Sequence, residues 1–182
     1  MMVAAREKVT FPEFQTFIQR DENSDRLFEL INGDIVEVMP GRTRNSELHN
    51  LIVVAVHNFC EAHSIACHTS SADGAYRIQE HVVAPDFAYK RTPMSDDYRD
   101  PDAPLWVVEI ISPTDKAEDV RDKRDIYVQA GILLWEVYPR IPSVDVYVSG
   151  QPVRTFTLDD VLDGGDVLPD FRLPMLKLFG SR

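Results

Sequence analysis

The chain has 182 residues, enough for one sizeable core and short for two independent ones. Hydrophobic residues make up 44% and charged residues 27%, which excludes wholesale disorder, and no apolar run approaches the roughly 20 residues of a membrane span. Thirty acidic against nineteen basic side chains give a formal charge of −11, so the molecule as a whole repels phosphate backbones and any nucleic-acid contact must be local.

The opening MMVAAREKV lacks the apolar stretch of a secretory signal. Two cysteines, Cys60 and Cys67, are too few for a disulfide framework, so a reducing, cytoplasmic setting is expected. Thr10 to Arg20 predicts a short helix: Thr10 and Glu13 are spaced as a capping box, Pro12 lies in the first turn, and Phe11, Phe14, Phe17 and Ile18 share a face. A hairpin follows, with Leu27–Ile31 turning at Asn32-Gly33 into Asp34–Met39, ended by Pro40 and Gly41. From Ser46 to His63 the residues Leu48, Leu51, Ile52, Ala55, Val56 and Phe59 repeat at helical spacing. Ile65–His68, Ala75–Ile78 and Val82–Tyr89 read as strands, and the proline-containing, acidic stretch 91–104 as an exposed loop.

Leu105–Ile111 is a near-continuous apolar run, the pattern of a strand buried on both faces. Ser112, Pro113 and Asp115 then look like the start of a helix that runs to about Ala130 and stops at Gly131. Leu133–Tyr138 and Val144–Val148 are further strands, and the tail 157–179 carries five aspartates around Gly164-Gly165. This order of elements predicts one α/β domain over residues 1–182, with a central mixed sheet flanked by helices.

Two carboxylates break the apolar pattern. Glu109 lies inside LWVVEII, where an unpaired charge would cost several kcal/mol, so the fold must supply it with a cation, a proton or donors. An arginine or backbone donors at a strand end would serve as well as a metal. Asp86 follows Pro85 in VVAPDFAY, and proline restricts a strand there to an edge, a start or a bulge. Two acids on successive strands can converge on one hard cation, which magnesium chemistry requires. Lys123 flanks the apolar stripe of the following helix, from where it could steady an oxyanion or simply lay its stem on the core. Arg124 competes for the same place. Glu29, between Phe28 and Leu30, could face the interior or solvent.

Together, FELINGDIVE (28–37), His49, PDFAYK (85–90), EIISPTD (109–115) and DKRDIYVQAG (122–131) resemble the PD-(D/E)XK restriction-endonuclease-like superfamily, and within it the Uma-type branch of endonuclease-like proteins. The resemblance extends from TFPEF to LPDFRLP. It implies that Asp86 and Glu109 are the metal-binding acids, that the carbonyl of Ile110 is a further ligand, and that Glu29 is an extra acid of the site. The superfamily pattern would put lysine two residues after Glu109, where this chain has Ile111; Lys123 matches the lysine this branch carries on the next helix.

The expected function is a Mg2+- or Mn2+-dependent endonuclease acting on DNA, with Asp86, Glu109, Lys123 and Glu29 in the site. Arg42, Arg44, Lys90, Arg91, Arg121 and Arg124 are candidate phosphate contacts. A homodimer is the expected assembly, since two-fold symmetry suits duplex cleavage. Two other readings stay open: a non-catalytic binding module that keeps the fold, and a metal-dependent hydrolase of a small phosphorylated substrate, which the acidic balance suits. A zinc site from His57, Cys60, His63, Cys67 and His68 matches no established spacing, and the aspartates at 159–170 lack that of an EF-hand.

Overall fold

The structure is a computed structural model that describes residues 8–39, 41–97 and 99–180. The opening up to Glu7, read as lacking a secretory signal, and Pro40 as the end of the hairpin, lie outside the described residues. Helix α1, Phe11–Ile18, buries Phe14 and is closed at its start by Glu13, whose Oε2 accepts from Thr10 N at 2.8 Å and Thr10 Oγ1 at 2.7 Å. Strands β1, Phe28–Ile31, and β2, Asp34–Glu37, form the predicted hairpin. Asn32 and Gly33 both take positive φ, 50° and 80°, the twist that a two-residue turn needs to match its strands.

Helix α2 spans Thr43–Ala62, three residues further toward the N-terminus than its apolar period, and buries Leu48, Ile52, Val56 and Cys60 at intervals of four. The strand expected at Ile65–His68 forms instead at His68–Ser71, as β3. Ile65 N donates to Cys60 O at 2.9 Å and Ser64 takes φ 54°, so these residues finish the helix end rather than enter a ladder.

The stretch Val82–Tyr89 is not one strand. It divides into β5, His81–Val83, and β6, Phe87–Lys90, which belong to different sheets. Pro85 has no N–H to give a ladder, and the chain crosses from one sheet to the other over Ala84-Pro85-Asp86. Strands β4, Ala75–Ile78, and β7, Arg99–Asp100, complete a five-stranded sheet in the order β2-β1-β5-β4-β7. The presence of β7 corrects the reading of 91–104 as an exposed loop, since Asp100 in it is buried.

The second sheet is built on β8, Trp106–Ile110, and β9, Leu133–Tyr138, with β10, Ser143–Tyr147, and β11, Arg154–Phe156, in the order β11-β10-β9-β8-β6-β3. β8 runs parallel to β9 and antiparallel to β6. Helix α3, Ala117–Gln129, makes the crossover between β8 and β9. It starts later than its sequence suggests. Ser112–Asp115 form a turn of their own, with Asp115 N donating to Ser112 O at 3.1 Å and Ser112 N to Asp115 Oδ2 at 2.7 Å. Lys116, at ψ 131°, is then extended, and the helix begins beyond it. Gly131 ends α3 at φ 75°.

Alternation along β8 and β9 divides the core. Trp106, Val108 and Trp135 face one layer with Phe87, Phe171 and α2, whereas Val107 and Leu134 face Ile126, Tyr127, Ile31 and Tyr76. The tail is an antiparallel pair, β12 (Val161–Gly164) and β13 (Leu168–Pro174), and a short helix α4 (Met175–Phe179). Here the aspartates serve turns and ion pairs: Asp163 accepts from Gly165 N at 3.0 Å and meets Arg154 at 3.0 Å. A Cβ on Gly164 would lie 2.6 Å from Leu168 O. Gly164→Ala is therefore expected to destabilise the fold by about 1–3 kcal/mol, read as an earlier midpoint in urea denaturation.

Candidate functional site

The residues that broke the sequence pattern meet where the two sheets join. β6 and β8 are antiparallel with Phe87 opposite Val108, so Asp86, one residue before β6, comes beside Glu109 near the end of β8. Glu109 projects on the same face as Val107, toward α3, because side chains alternate along a strand. One turn apart on that helix, Lys123 and Tyr127 both reach it: Lys123 Nζ lies 2.7 Å from Glu109 Oε1, and Tyr127 OH donates to the same oxygen at 2.7 Å. Glu29 comes in from β1 of the other sheet, 3.0 Å from Lys123 Nζ. Its Oε1 also accepts from Ala84 N at 2.7 Å, the N–H released where Pro85 interrupts the strand. Asp86 Oδ2 accepts from Ile110 N at 2.6 Å, and Ile110 O accepts from Asn45 Nδ2 at 3.3 Å.

Glu29, Asp86, Glu109, Ile110 and Lys123 thus line one cleft of about 670 Å³. Three acids face one lysine. Burial pushes the Glu109 carboxyl up to about 8, reinforced by Asp86 and Glu29 and opposed by Lys123. Burial also raises Asp86, against the pull of Ile110 N and Lys123. Lys123 would be lowered by burial, but Glu109 and Glu29 outweigh that and hold the ammonium charged. Tyr127 is raised far enough, first by burial, to remain a donor.

These directions carry a pH dependence. Unfolded Glu109 releases its proton near 4.5, whereas the folded protein keeps it up to about 8. Between those values the folded state binds more protons, so stability is complete below the lower value and falls as pH rises toward the upper one. In metal-free protein Glu109→Gln is expected to remove that decline and to raise Tm by about 3 °C or more at pH 8, measured by thermal melts from pH 5 to 9.

Arg124 does not share the place of Lys123. Its guanidinium is bound bidentately by Glu136 at 2.8 and 2.7 Å, with Tyr138 OH donating to the same carboxylate at 2.6 Å. Lys90, a candidate phosphate contact, is 2% exposed and paired with Asp100, so that reading is corrected. Arg44 is held by Glu47 and Phe179 O, and Arg91 by Val167 O. Arg42 lines the cleft and Arg121 is exposed on α3. His57 bonds Thr69, and His63 donates to Phe59 O while stacking on that ring, so these two of the zinc candidates have separate partners.

Sequence reasoning missed Glu136, Asn45 and Tyr127 as site residues. Glu136 had a signal: it is a carboxylate within LLWEVY, as Glu109 is within WVVEI, and the parallel ladder places the two side by side. Asn45 had none, being an ordinary polar residue on a helix.

Among the described residues no cluster of three or more His, Cys, Asp or Glu side chains is placed to hold a metal. Two carboxylates and a backbone carbonyl are a smaller set, and they suit a hard cation that completes its shell with water and substrate. No described helix is long and apolar enough to cross a membrane.

A mixed α/β fold with acids gathered at the junction of its sheets is that of a restriction-endonuclease-like protein. A family model described as "Uma2: Putative restriction endonuclease" matches residues 11–176, and the chain belongs to that family. Among solved structures it is similar to one described as "a putative nuclease belonging to DUF820 from Anabaena variabilis ATCC 29413", with a TM-score of 0.79 and 19% identity over 94% of this chain and 97% of that one. At that identity the likeness speaks for the fold. No curated protein matches the chain.

Proposed function

We infer that this protein is a metal-dependent endonuclease that hydrolyses phosphodiester bonds of DNA. The observation that carries this reading is the meeting of Glu29, Asp86, Glu109 and Lys123, from four separate segments, at one cleft with more carboxylates than cations. Asp86, Glu109 and the carbonyl of Ile110 are the groups that would hold Mg2+ or Mn2+. When bound, the cation supplies Lewis acidity and lowers the pKa of a water at neutral pH.

The chain's own residues prepare that place. Ile110 N fixes one oxygen of Asp86, and Tyr127 fixes Glu109. Lys123 offers a positive charge at the cleft wall, where it can orient the attacking water or steady charge developing on the phosphoryl oxygens. Of the six candidate phosphate contacts, Arg42 and Arg121 remain to approach phosphates. The chain is taken as one domain, cytoplasmic, and paired as a homodimer for duplex cleavage.

A second reading is favoured by the charge of the cleft. Glu29, Glu37, Asp86, Glu109, Asp115, Asp119 and Glu136 line it against Arg42, Lys116 and Lys123. So acidic a wall suits a small phosphorylated substrate better than a long polyanion. Calorimetric titration of Mg2+ and Mn2+ into wild type, Asp86→Ala and Glu109→Ala, with plasmid and single-stranded DNA incubated in parallel, decides among these. Metal binding lost in both variants, with cleavage lost by about 10³-fold or more, supports the nuclease. Binding without DNA cleavage transfers the assignment to the small substrate. Absence of binding in the wild type, with DNA present, leaves a non-catalytic module.

A further inference from the structure

Two carboxylates stand side by side under α3, and the helix meets them with two cations in a row. Glu109 on β8 and Glu136 on β9 are partners in the parallel ladder, on strands about 4.8 Å apart, so both side chains leave the same face of the sheet. Like charges so placed repel each other, and Glu136 is 1% exposed. Consecutive helix residues, about 100° apart, answer them: Lys123 goes to Glu109 and Arg124 to Glu136. The two pairs are unlike. Lys123 is shared between Glu109 and Glu29, a point charge on a flexible stem. Arg124 is held in one plane, its Nε and Nη2 reaching the two oxygens of Glu136 at 2.8 and 2.7 Å. Tyr138 OH gives the same carboxylate a third donor at 2.6 Å, and the guanidinium lies over the Tyr147 ring at 4.8 Å.

We propose that Arg124 is a positioning residue for Lys123: by saturating Glu136 it keeps the lysine on Glu109 and Glu29, at the wall of the proposed active cleft. Glu136 lines that same cleft, and without Arg124 its charge competes for the ammonium, which can swing across to the next strand on its own stem. An ion pair so withdrawn from water stabilises a fold little more than well-packed apolar residues of the same volume, so fastening α3 does not by itself call for one. What the pair adds is a choice of which cation meets which acid. Arg124 does not line the cleft, so it acts through Lys123 rather than on substrate. A pair that only clamped α3 to the sheet would act on stability alone and leave Lys123 where it is.

The proposal rests on the reading of Lys123 as the cation of the site, and its test separates the two. Carbon-13-edited NOE spectra of the metal-free full chain, in mildly alkaline buffer that favours ionised Glu136, locate the Lys123 ε-methylene. In wild type it should give cross-peaks to the Glu109 γ-methylene. In Arg124→Met these should weaken, and cross-peaks to the Glu136 γ-methylene should appear. DNA cleavage with Mn2+ should fall about 10–100-fold in Arg124→Met, mainly in kcat, because the charge is displaced. Arg124→Met/Glu136→Gln, which removes the competing charge, should recover most of that loss together with the Glu109 cross-peaks. Arg124→Gln, which leaves Glu136 a donor but no charge, serves the same test where Arg124→Met does not fold. Lys123 remaining on Glu109 in the single variants would overturn the proposal, as would equal cleavage losses in the single and double variants. If the wild type cleaves no DNA while Lys123 moves in Arg124→Met, the positioning role is supported and the nuclease reading alone is removed.

Discussion

Replacing Lys90 by methionine while Asp100 stays is expected to destabilise the protein by about 3–5 kcal/mol, because it strands a buried carboxylate. Lys90 Nζ lies 2.6 Å from Asp100 Oδ2, with side-chain exposures of only 2% and 7%. Asp100 also accepts from Ser95 N at 3.1 Å and Asp102 N at 3.0 Å, so it ties down the chain on both sides of β7. Burial would raise its pKa, but Lys90 and those two N–H groups outweigh it and hold the carboxyl below 3.8. The stabilisation is thus present above that value and is lost as pH falls through the folded pKa. Removing both charges with Lys90→Met/Asp100→Leu should recover only part of the loss, since the Ser95 and Asp102 N–H groups would lose their acceptor. Urea unfolding of the single and double variants measures this. A lysine that served phosphates would instead weaken DNA binding and leave the urea midpoint within about 0.5 kcal/mol of wild type.

Lys123→Met is expected to divide metal affinity from catalysis. The ammonium stands 2.7 Å from Glu109 and 3.0 Å from Glu29, and removing it leaves three carboxylates at one cleft. Metal-free protein should lose stability, by several kcal/mol if the carboxylates stay ionised and less as they take up protons. A divalent cation is attracted more strongly to that unneutralised set, so Mn2+ affinity should rise about tenfold and the Tm deficit should shrink on adding metal. DNA cleavage at saturating metal should nevertheless fall about 10²–10³-fold if Lys123 has the proposed role, because the charge assigned to steady the phosphoryl oxygens is gone. Calorimetry, thermal melts and plasmid cleavage on one preparation test all three. Equal affinity and equal cleavage would make Lys123 a structural lysine resting on the core.

The amino-acid sequence by itself determined those features whose causes are local. The Asn32-Gly33 turn follows from φ preferences of two residues, the end of α3 from Gly131, and the burial of β8 from an unbroken apolar run. It also marked Glu109 and Asp86 as charges out of place, since a buried carboxylate is visible wherever its neighbours are apolar. What it could not reach were partnerships between segments far apart in the chain. That Lys123 rather than Arg124 meets Glu109 depends on how α3 is rotated over the sheet, and neighbouring positions on a helix differ by about 100°. That Val82–Tyr89 serves two sheets, and so frees Ala84 N for Glu29, depends on where β1 and β8 lie in space. That Lys90 and Asp100 are buried together depends on a two-residue strand too short to carry a periodic signal. Propensity and periodicity act over a few residues, whereas Coulomb attraction and hydrogen bonding act over a few ångströms, and only the folded chain turns one into the other.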